Sequence, residues 1–192
     1  MENKNINGGT TFMDKRNSVF IATSLDGYIA DRHDKIDWLL SIPNPDQQDM
    51  GYQDFIADID AILMGRNTFE VVCGFGGEWP YPKPVFVLSN SMESIPPAYQ
   101  GKVNLLKGEI QEVLKTVHDQ GFQRLYIDGG VVIQQFLKED LIDDMIITTI
   151  PYLLGGGTSL FGSLDKLLKF KCVEAKVEIG YIAQAKYSRD RS

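Results

Sequence analysis

Residues 61–70, Ala-Ile-Leu-Met-Gly-Arg-Asn-Thr-Phe-Glu, join an apolar run to a polar helix start, a combination suited to holding phosphate. Ala61, Ile62, Leu63 and Met64 read as a buried strand that stops at Gly65. Asn67 is a good N-cap and Glu70, three residues on, completes a capping box. The free N–H groups of the first turn then face the same mouth as the Arg66 side chain, with Thr68 beside it. Exposed donors, the positive end of a helix dipole and a guanidinium together favour a phosphate or pyrophosphate group. The competing reading is a tight turn with a solvated arginine.

Strands and helices must carry this corner. Residues 1–17, rich in Asn, Gly, Thr and Lys, have no periodicity and read as a flexible leader, within which Met13 is a possible second start. Residues 18–192 read as one domain, with no repeat, low-complexity tract or linker to divide it. Strands are expected at 19–22, 61–64, 84–89, 103–107, 124–128, 144–153, 168–179 and 181–188. Helices are expected at 46–58, from about 67, at 109–120 and at 131–138. About eight strands and four helices in this order make an α/β fold with a mixed sheet: the early strands parallel, the last ones joined without helices and antiparallel. Ligands of such sheets gather at the carboxyl ends of parallel strands. The segments 22–27, 64–68, 88–90 and 128–130 should therefore converge.

The bulk properties bound the function. A net charge of −7 over 192 residues offers no basic face for a nucleic acid or an acidic membrane surface. The apolar runs are too short to span a bilayer and no signal pattern opens the chain, so the cytoplasm is the expected compartment. Cys73 and Cys172 lack the spacing of a zinc site and are expected to be buried thiols. His33 and His118 have no partner at metal-ligand spacing either. No metal is expected, and His118 should face solvent.

Taken together, Ala22-Thr23-Ser24-Leu25-Asp26-Gly27-Tyr28-Ile29-Ala30, Met64 to Glu70, Val87-Leu88-Ser89-Asn90, Asp128-Gly129-Gly130, and Pro151 to Thr158 with Leu160-Phe161 resemble the dihydrofolate reductase-like fold. In particular they resemble the reductase domain of the riboflavin-biosynthesis protein RibD. The segments Ile36-Asp37-Trp38-Leu39 and 74–80 look like those of small stand-alone RibD-like reductases. The resemblance implies an NADPH-dependent reductase of a small heterocycle such as a pterin, a pyrimidine or a flavin. It implies that the backbone of Ala22 meets the nicotinamide, that Gly65, Arg66, Asn67 and Thr68 hold the pyrophosphate and ribose phosphate, and that Leu88, Ser89 and Asn90 flank the adenosine. Asp128, Gly129, Gly130, Val131 and Val132 would form a second phosphate cradle; a plain strand-to-helix turn is the alternative. NADPH over NADH rests on Arg66 with Ser89 and Asn90.

Hydride transfer also needs a proton source. Alignment with dihydrofolate reductase puts Asp49 in that role, with Asp54 as competitor, and a solvated helix face is the alternative for both. Lys83 stands where that enzyme has an arginine for the folate tail, and Ile133 where it has a helix tyrosine, so folate is not supported. Trp38, Tyr52 and Thr148, with Trp79 and Phe75, would line the open side, an aromatic wall suited to a flat ring. The resemblance implies that residues 31–35 form a mobile loop at the mouth and residues 155–157 a loop near the nicotinamide, a flexible bend between strands being the alternative for the latter. Apolar positions on the last two strands, including Val177, Ala183 and Tyr187, suggest a homodimer built through them. Two readings compete with the reductase: a non-catalytic nucleotide-binding sensor or partner protein, and a diaphorase-like reductase of free flavin or quinone.

Overall fold

The computed structural model describes residues 14–192, so the Met13 question and most of the expected leader lie outside the described residues. The strands, in chain order, are β1 (Arg16–Ser24), β2 (Tyr28–Ala30), β3 (Ala61–Gly65), β4 (Val85–Leu88), β5 (Val103–Leu106), β6 (Arg124–Asp128), β7 (Asp144–Ile150), β8 (Thr158–Ser159), β9 (Phe170–Glu178) and β10 (Ile182–Arg189). The helices are α1 (Asp37–Leu40), α2 (Tyr52–Ala57), α3 (Arg66–Gly74), α4 (Ile110–Asp119) and α5 (Gly130–Lys138). Eight strands form one sheet in the order β5-β4-β3-β6-β1-β7-β10-β9, and β2 pairs with β8 apart from it. Strands β5 through β7 run parallel, whereas β10 is antiparallel to both β7 and β9. The fold is the mixed α/β sheet expected from the order of elements.

Pleating decides what each face buries. The sheet's first face carries Leu63, Leu125 and Ile127 against Val113, Leu114 and Val117 of α4 and Ile133 and Phe136 of α5. The second carries Ile62, Met64 and Tyr126 against Ile56 of α2 and Phe69 of α3. Residues 61–64 are 0% exposed because β3 lies inside the sheet with both faces covered. At the other end no helix separates β9 from β10. Ile179 and Gly180, both at positive φ, close a tight hairpin instead.

Several local expectations are corrected. Strand β1 begins at Arg16, so residues 16 and 17 belong to the sheet rather than the leader: buried Asn17 donates from Nδ2 to the Leu141 carbonyl at 2.8 Å. The helix expected over 46–58 shrinks to α2. Gln47, Met50 and Gly51 all adopt positive φ, and the Asn44 and Asp49 side chains hold turns there. Residues 37–40 form a helix of their own, making five α-helices among the described residues, and the β2–β8 pair adds two short strands. Asn67 is not an N-cap. Gly65 occupies that position in extended geometry, no side chain caps α3, and Glu70 pairs with Arg66 at 3.6 Å instead of closing a capping box. Cys73 is half-buried and Cys172 exposed on β9, both as free thiols.

Candidate active site

At the carboxyl edge of the parallel strands the loops after β1, β3, β4 and β6 surround a cleft of about 850 Å³. Gly65 and Gly129 are the N-caps of α3 and α5, and neither helix start is capped by a side chain. Both helices run nine residues, and the first-turn N–H groups of each have no carbonyl partner within the helix. The two corners are in contact. Gly129 sits at φ +89, and a Cβ there would stand 2.1 Å from Thr68 Oγ1, while one on Gly65 would meet Val132 Cγ2 at 3.2 Å. Only glycine allows the β6 turn to press this closely on α3.

Side chains complete the rim. Arg66 is exposed and donates from Nη1 to Ser91 Oγ at 3.3 Å. Ser89 Oγ accepts from the Met92 N–H at 3.1 Å, and Asn90 Oδ1 from the Gly108 N–H at 2.8 Å, fixing the turn after β4. Ala22, Gly65, Arg66, Asn67, Thr68, Leu88, Ser89, Asn90, Asp128, Gly129, Gly130, Val131 and Val132, each named from the sequence, all line this one cleft. On the β1 side, Asp26 accepts N–H groups of Leu154 and Gly155 at 3.1 and 2.8 Å, Thr158 Oγ1 donates to Asp34, and Arg32 holds the Gly155 carbonyl. The 31–35 loop and the 155–157 loop are thus stitched together at the mouth.

Beneath the rim lies a carboxyl group that sequence reasoning had assigned only to the cofactor cradle. Asp128 ends β6 with its side chain on the second face, where Tyr81 Oη donates to Oδ2 at 3.3 Å. Burial pushes the Asp128 carboxyl up to about 6, a rise that the Gly129 N–H and the Tyr81 and Tyr126 hydroxyls only partly offset. The Tyr52, Tyr81 and Tyr126 phenols are all pushed up, first by their own burial and next by the Asp128 charge. Phe20 stacks edge-on to Tyr52 at 5.5 Å, and Tyr126 edge-on to Phe55 at 5.1 Å, so rings floor the space around the acid. Tyr81 and Tyr126 were missed as site residues. The one available signal was that Tyr126 and Asp128 alternate with Leu125 and Ile127.

The expected proton donors lie elsewhere. Asp49 accepts the Gly51 and Gln53 N–H groups at 3.0 and 2.8 Å; the Gln53 and Gly51 bonds hold its carboxyl below the usual range, the wrong direction for an acid. Asp54 is exposed and lines a separate groove of about 450 Å³ with Arg16, Asp144 and Gln184. Neither carboxylate lines the larger cleft. Thr148 is buried and satisfied by Gln184 Nε2 at 2.9 Å, and Trp38 is half-buried; neither lines the cleft. Tyr52 stands beside the aromatic floor instead, and Phe75 lines the cleft. Trp79 packs on Phe69, Tyr81 and Tyr99, Ile133 is core, and Lys83 donates to the Ala57 carbonyl. His118 is half-buried rather than solvated, with Nδ1 at 2.8 Å from the Phe122 carbonyl. Among the described residues no His, Cys, Asp and Glu cluster is placed to hold a metal, and no helix is long and apolar enough to cross a membrane.

Comparison with known proteins locates this architecture. The family model of the RibD C-terminal domain matches residues 18–180. The uncharacterised protein YwjB of Bacillus subtilis is 33% identical over 180 residues, covering 92% of this chain and 99% of its own. A crystal structure from Shewanella sp. PV-4, provisionally named for riboflavin biosynthesis, is 51% identical with a TM-score of 0.89, covering 92% of this chain and 99% of that one. Two more distant structures share the fold. The Thermotoga maritima diaminohydroxyphosphoribosylaminopyrimidine deaminase/5-amino-6-(5-phosphoribosylamino)uracil reductase is 17% identical at TM-score 0.69, covering 92% of this chain and 57% of that one. Enterococcus faecalis dihydrofolate reductase complexed with NADP(H) is 16% identical at TM-score 0.61, covering 91% and 96%.

Proposed function

Because the chain belongs to the RibD C-terminal domain family, whose fold is that of dihydrofolate reductase, we propose that it is an NADPH-dependent reductase of a small heterocycle. The observation that carries this reading is the meeting of two uncapped helix starts, at Gly65 and Gly129, beside the carboxyl group of Asp128, whose pKa burial pushes up to about 6. Unpaired N–H groups on two sides, joined by Arg66, suit the diphosphate and ribose phosphate of NADPH, and a cleft of about 850 Å³ has the size of a cofactor site. When bound, NADPH supplies the hydride. The protein's part is to seat the nicotinamide against the Ala22 backbone, hold the substrate ring on the aromatic floor, and deliver a proton from Asp128. A non-catalytic sensor needs no such acid, and neither does a flavin or quinone diaphorase, so the placement of Asp128 favours the reductase. NADPH oxidation measured against pterins, pyrimidines, flavins and quinones tests it: turnover confined to flavins and quinones would favour the diaphorase, and none with any acceptor the sensor.

Arg66 is the cation of the phosphate corner, and Arg66→Gln should weaken NADPH binding by about tenfold with NADH affected less, as read by calorimetric titration. Equal losses for both nucleotides would assign Arg66 to the diphosphate rather than the ribose phosphate. The family reading also supports a homodimer through β9 and β10. Strand β9 is an open edge, with Val173 56% and Val177 67% exposed, and Leu167 just before it 85% exposed. Light scattering at micromolar concentration should give twice the chain mass, and Val177→Lys should give the monomer; a wild-type monomer would refute the dimer. A cytoplasmic setting fits the two free cysteines.

A further inference from the structure

Three phenols face the buried carboxyl of Asp128, and their hydrogen bonds differ. Tyr52 comes from α2, Tyr81 from the segment between α3 and β4, and Tyr126 from β6, with the Gly129 N–H beside them. A hydroxyl has one proton to give. Tyr126 donates its proton to the Phe20 carbonyl at 2.8 Å, and Tyr52 feels the Asp128 charge without a hydrogen bond to it. Tyr81 Oη is left as the phenol that donates to Asp128 Oδ2, at 3.3 Å, its one hydrogen-bond partner among the described residues. The chain holds this phenol firmly. Tyr81 stands between Pro80 and Pro82, whose rings fix φ at both neighbours, and the second disfavours helical geometry at Tyr81 itself. Trp79 packs edge-on against the Tyr81 ring at 5.4 Å and also against Phe69 and Tyr99, tying the segment to the core of the second face.

A neutral carboxyl carries its proton on one of two oxygens. A proton on Oδ2, aimed at Tyr81, would leave the phenol O–H without an acceptor among the described residues, a cost that a proton on Oδ1 avoids. Resting on the reductase reading above, we infer that Tyr81 is the positioning residue for the acid: by donating to Oδ2 it keeps the transferable proton on Oδ1 and holds the carboxylate left behind. In the reaction the Oδ1–H bond breaks as the substrate takes the proton, and its electron pair stays on the carboxyl. The Tyr81 O–H, already directed at Oδ2, meets that charge without reorienting. The substrate gains a hydride and a proton, two electrons in all, as NADPH becomes NADP⁺. Tyr81 keeps its own proton throughout, because burial and then the Asp128 charge push its phenol far above the usual range.

Carboxyl-carbon NMR of protein isotopically labelled in its aspartates tests this without relying on turnover, the Asp128 signal being assigned by its absence from Asp128→Asn. Wild-type Asp128 should titrate near pH 6, raised first of all by burial. Tyr81→Phe keeps the ring on Trp79 and removes only the donor to the charged form, so the midpoint should rise by about one pH unit. Tyr126→Phe takes a donor from the Phe20 carbonyl instead, and should lower the melting temperature while moving the midpoint less. In turnover, Tyr81→Phe should be about tenfold slower than wild type at about pH 5, with NADPH affinity unchanged. That deficit should close by about pH 8, because the variant's acid stays protonated to higher pH. An unchanged midpoint in Tyr81→Phe, a larger move in Tyr126→Phe, or a deficit equal at every pH would each overturn the inference. Absence of NADPH-dependent reduction in the wild type, with the midpoint still raised in Tyr81→Phe, would instead refute the reductase reading and leave the hold of Tyr81 on Asp128 standing.

Discussion

Asp128→Asn is expected to lower the rate of NADPH-dependent reduction by about a hundredfold or more while leaving the fold and NADPH affinity intact. Asparagine keeps the shape and can still accept from Tyr81 Oη, which lies 3.3 Å from Oδ2, but it has no proton to give. The pH dependence follows from the same group. Burial first of all raises the Asp128 carboxyl to about 6, so the proton-bearing form dominates below that value and is lost above it. The wild-type rate should fall about tenfold per pH unit well above 6, and the variant's residual rate should lack that limb. Asp49→Asn is the contrast. Its side chain holds the turn before α2 through the Gly51 and Gln53 N–H groups, so the variant should melt lower with its rate and pH profile unchanged. Full activity in Asp128→Asn with loss in Asp49→Asn would return the acid to the turn before α2.

Gly129→Ala is expected to abolish measurable nucleotide binding, a loss of about a hundredfold or more. The backbone there is at φ +89, which alone costs a non-glycine residue on the order of 1–3 kcal/mol of stability. The added methyl group would also stand 2.1 Å from Thr68 Oγ1 and 3.3 Å from Thr68 Cβ, so the Thr68 hydroxyl must turn away and the two helix starts must ease apart. Thr68→Ala in the same chain removes the 2.1 Å collision, keeps the tight 3.3 Å contact with Cβ and leaves the strain. The double variant should therefore recover part of the melting temperature and part of the affinity, read by thermal unfolding and calorimetric titration. Wild-type binding in Gly129→Ala would mean that the close approach of the two corners has no part in holding the nucleotide.

The rim of the cleft was legible in the sequence because each of its segments sits where an apolar strand meets a breaker: Met64 before Gly65, Asp128 before Gly129-Gly130, Leu88 before Ser89-Asn90. Such junctions fix position along the chain, and a parallel sheet then brings them to one edge. The start of α3 was misread by two residues, since Asn67 and Glu70 have the composition of a capping box although Gly65 takes the cap position. The proposed acid was not legible. Residues 46–51 carry two non-glycine residues at positive φ, Gln47 and Met50, which no helical pattern announces, and the helix expected to present Asp49 begins only at Tyr52. What raises Asp128 is enclosure near Tyr81, 47 positions earlier in the chain, which no local periodicity reveals. Likewise Thr148, polar in an apolar strand, reads as available for substrate, but Gln184, its register partner on β10 and 36 positions later in the chain, occupies its hydroxyl.

The central claim is that two uncapped helix starts hold a pyridine nucleotide beside Asp128, and calorimetric titration of NADPH into the purified protein tests it most directly. The account predicts saturable binding of one NADPH per chain, NADH binding more weakly, and at a hundred times the dissociation constant a gain of about 2.7 kcal/mol in unfolding free energy. Absence of heat and of any rise in melting temperature with either nucleotide, from protein shown to be folded, would contradict it.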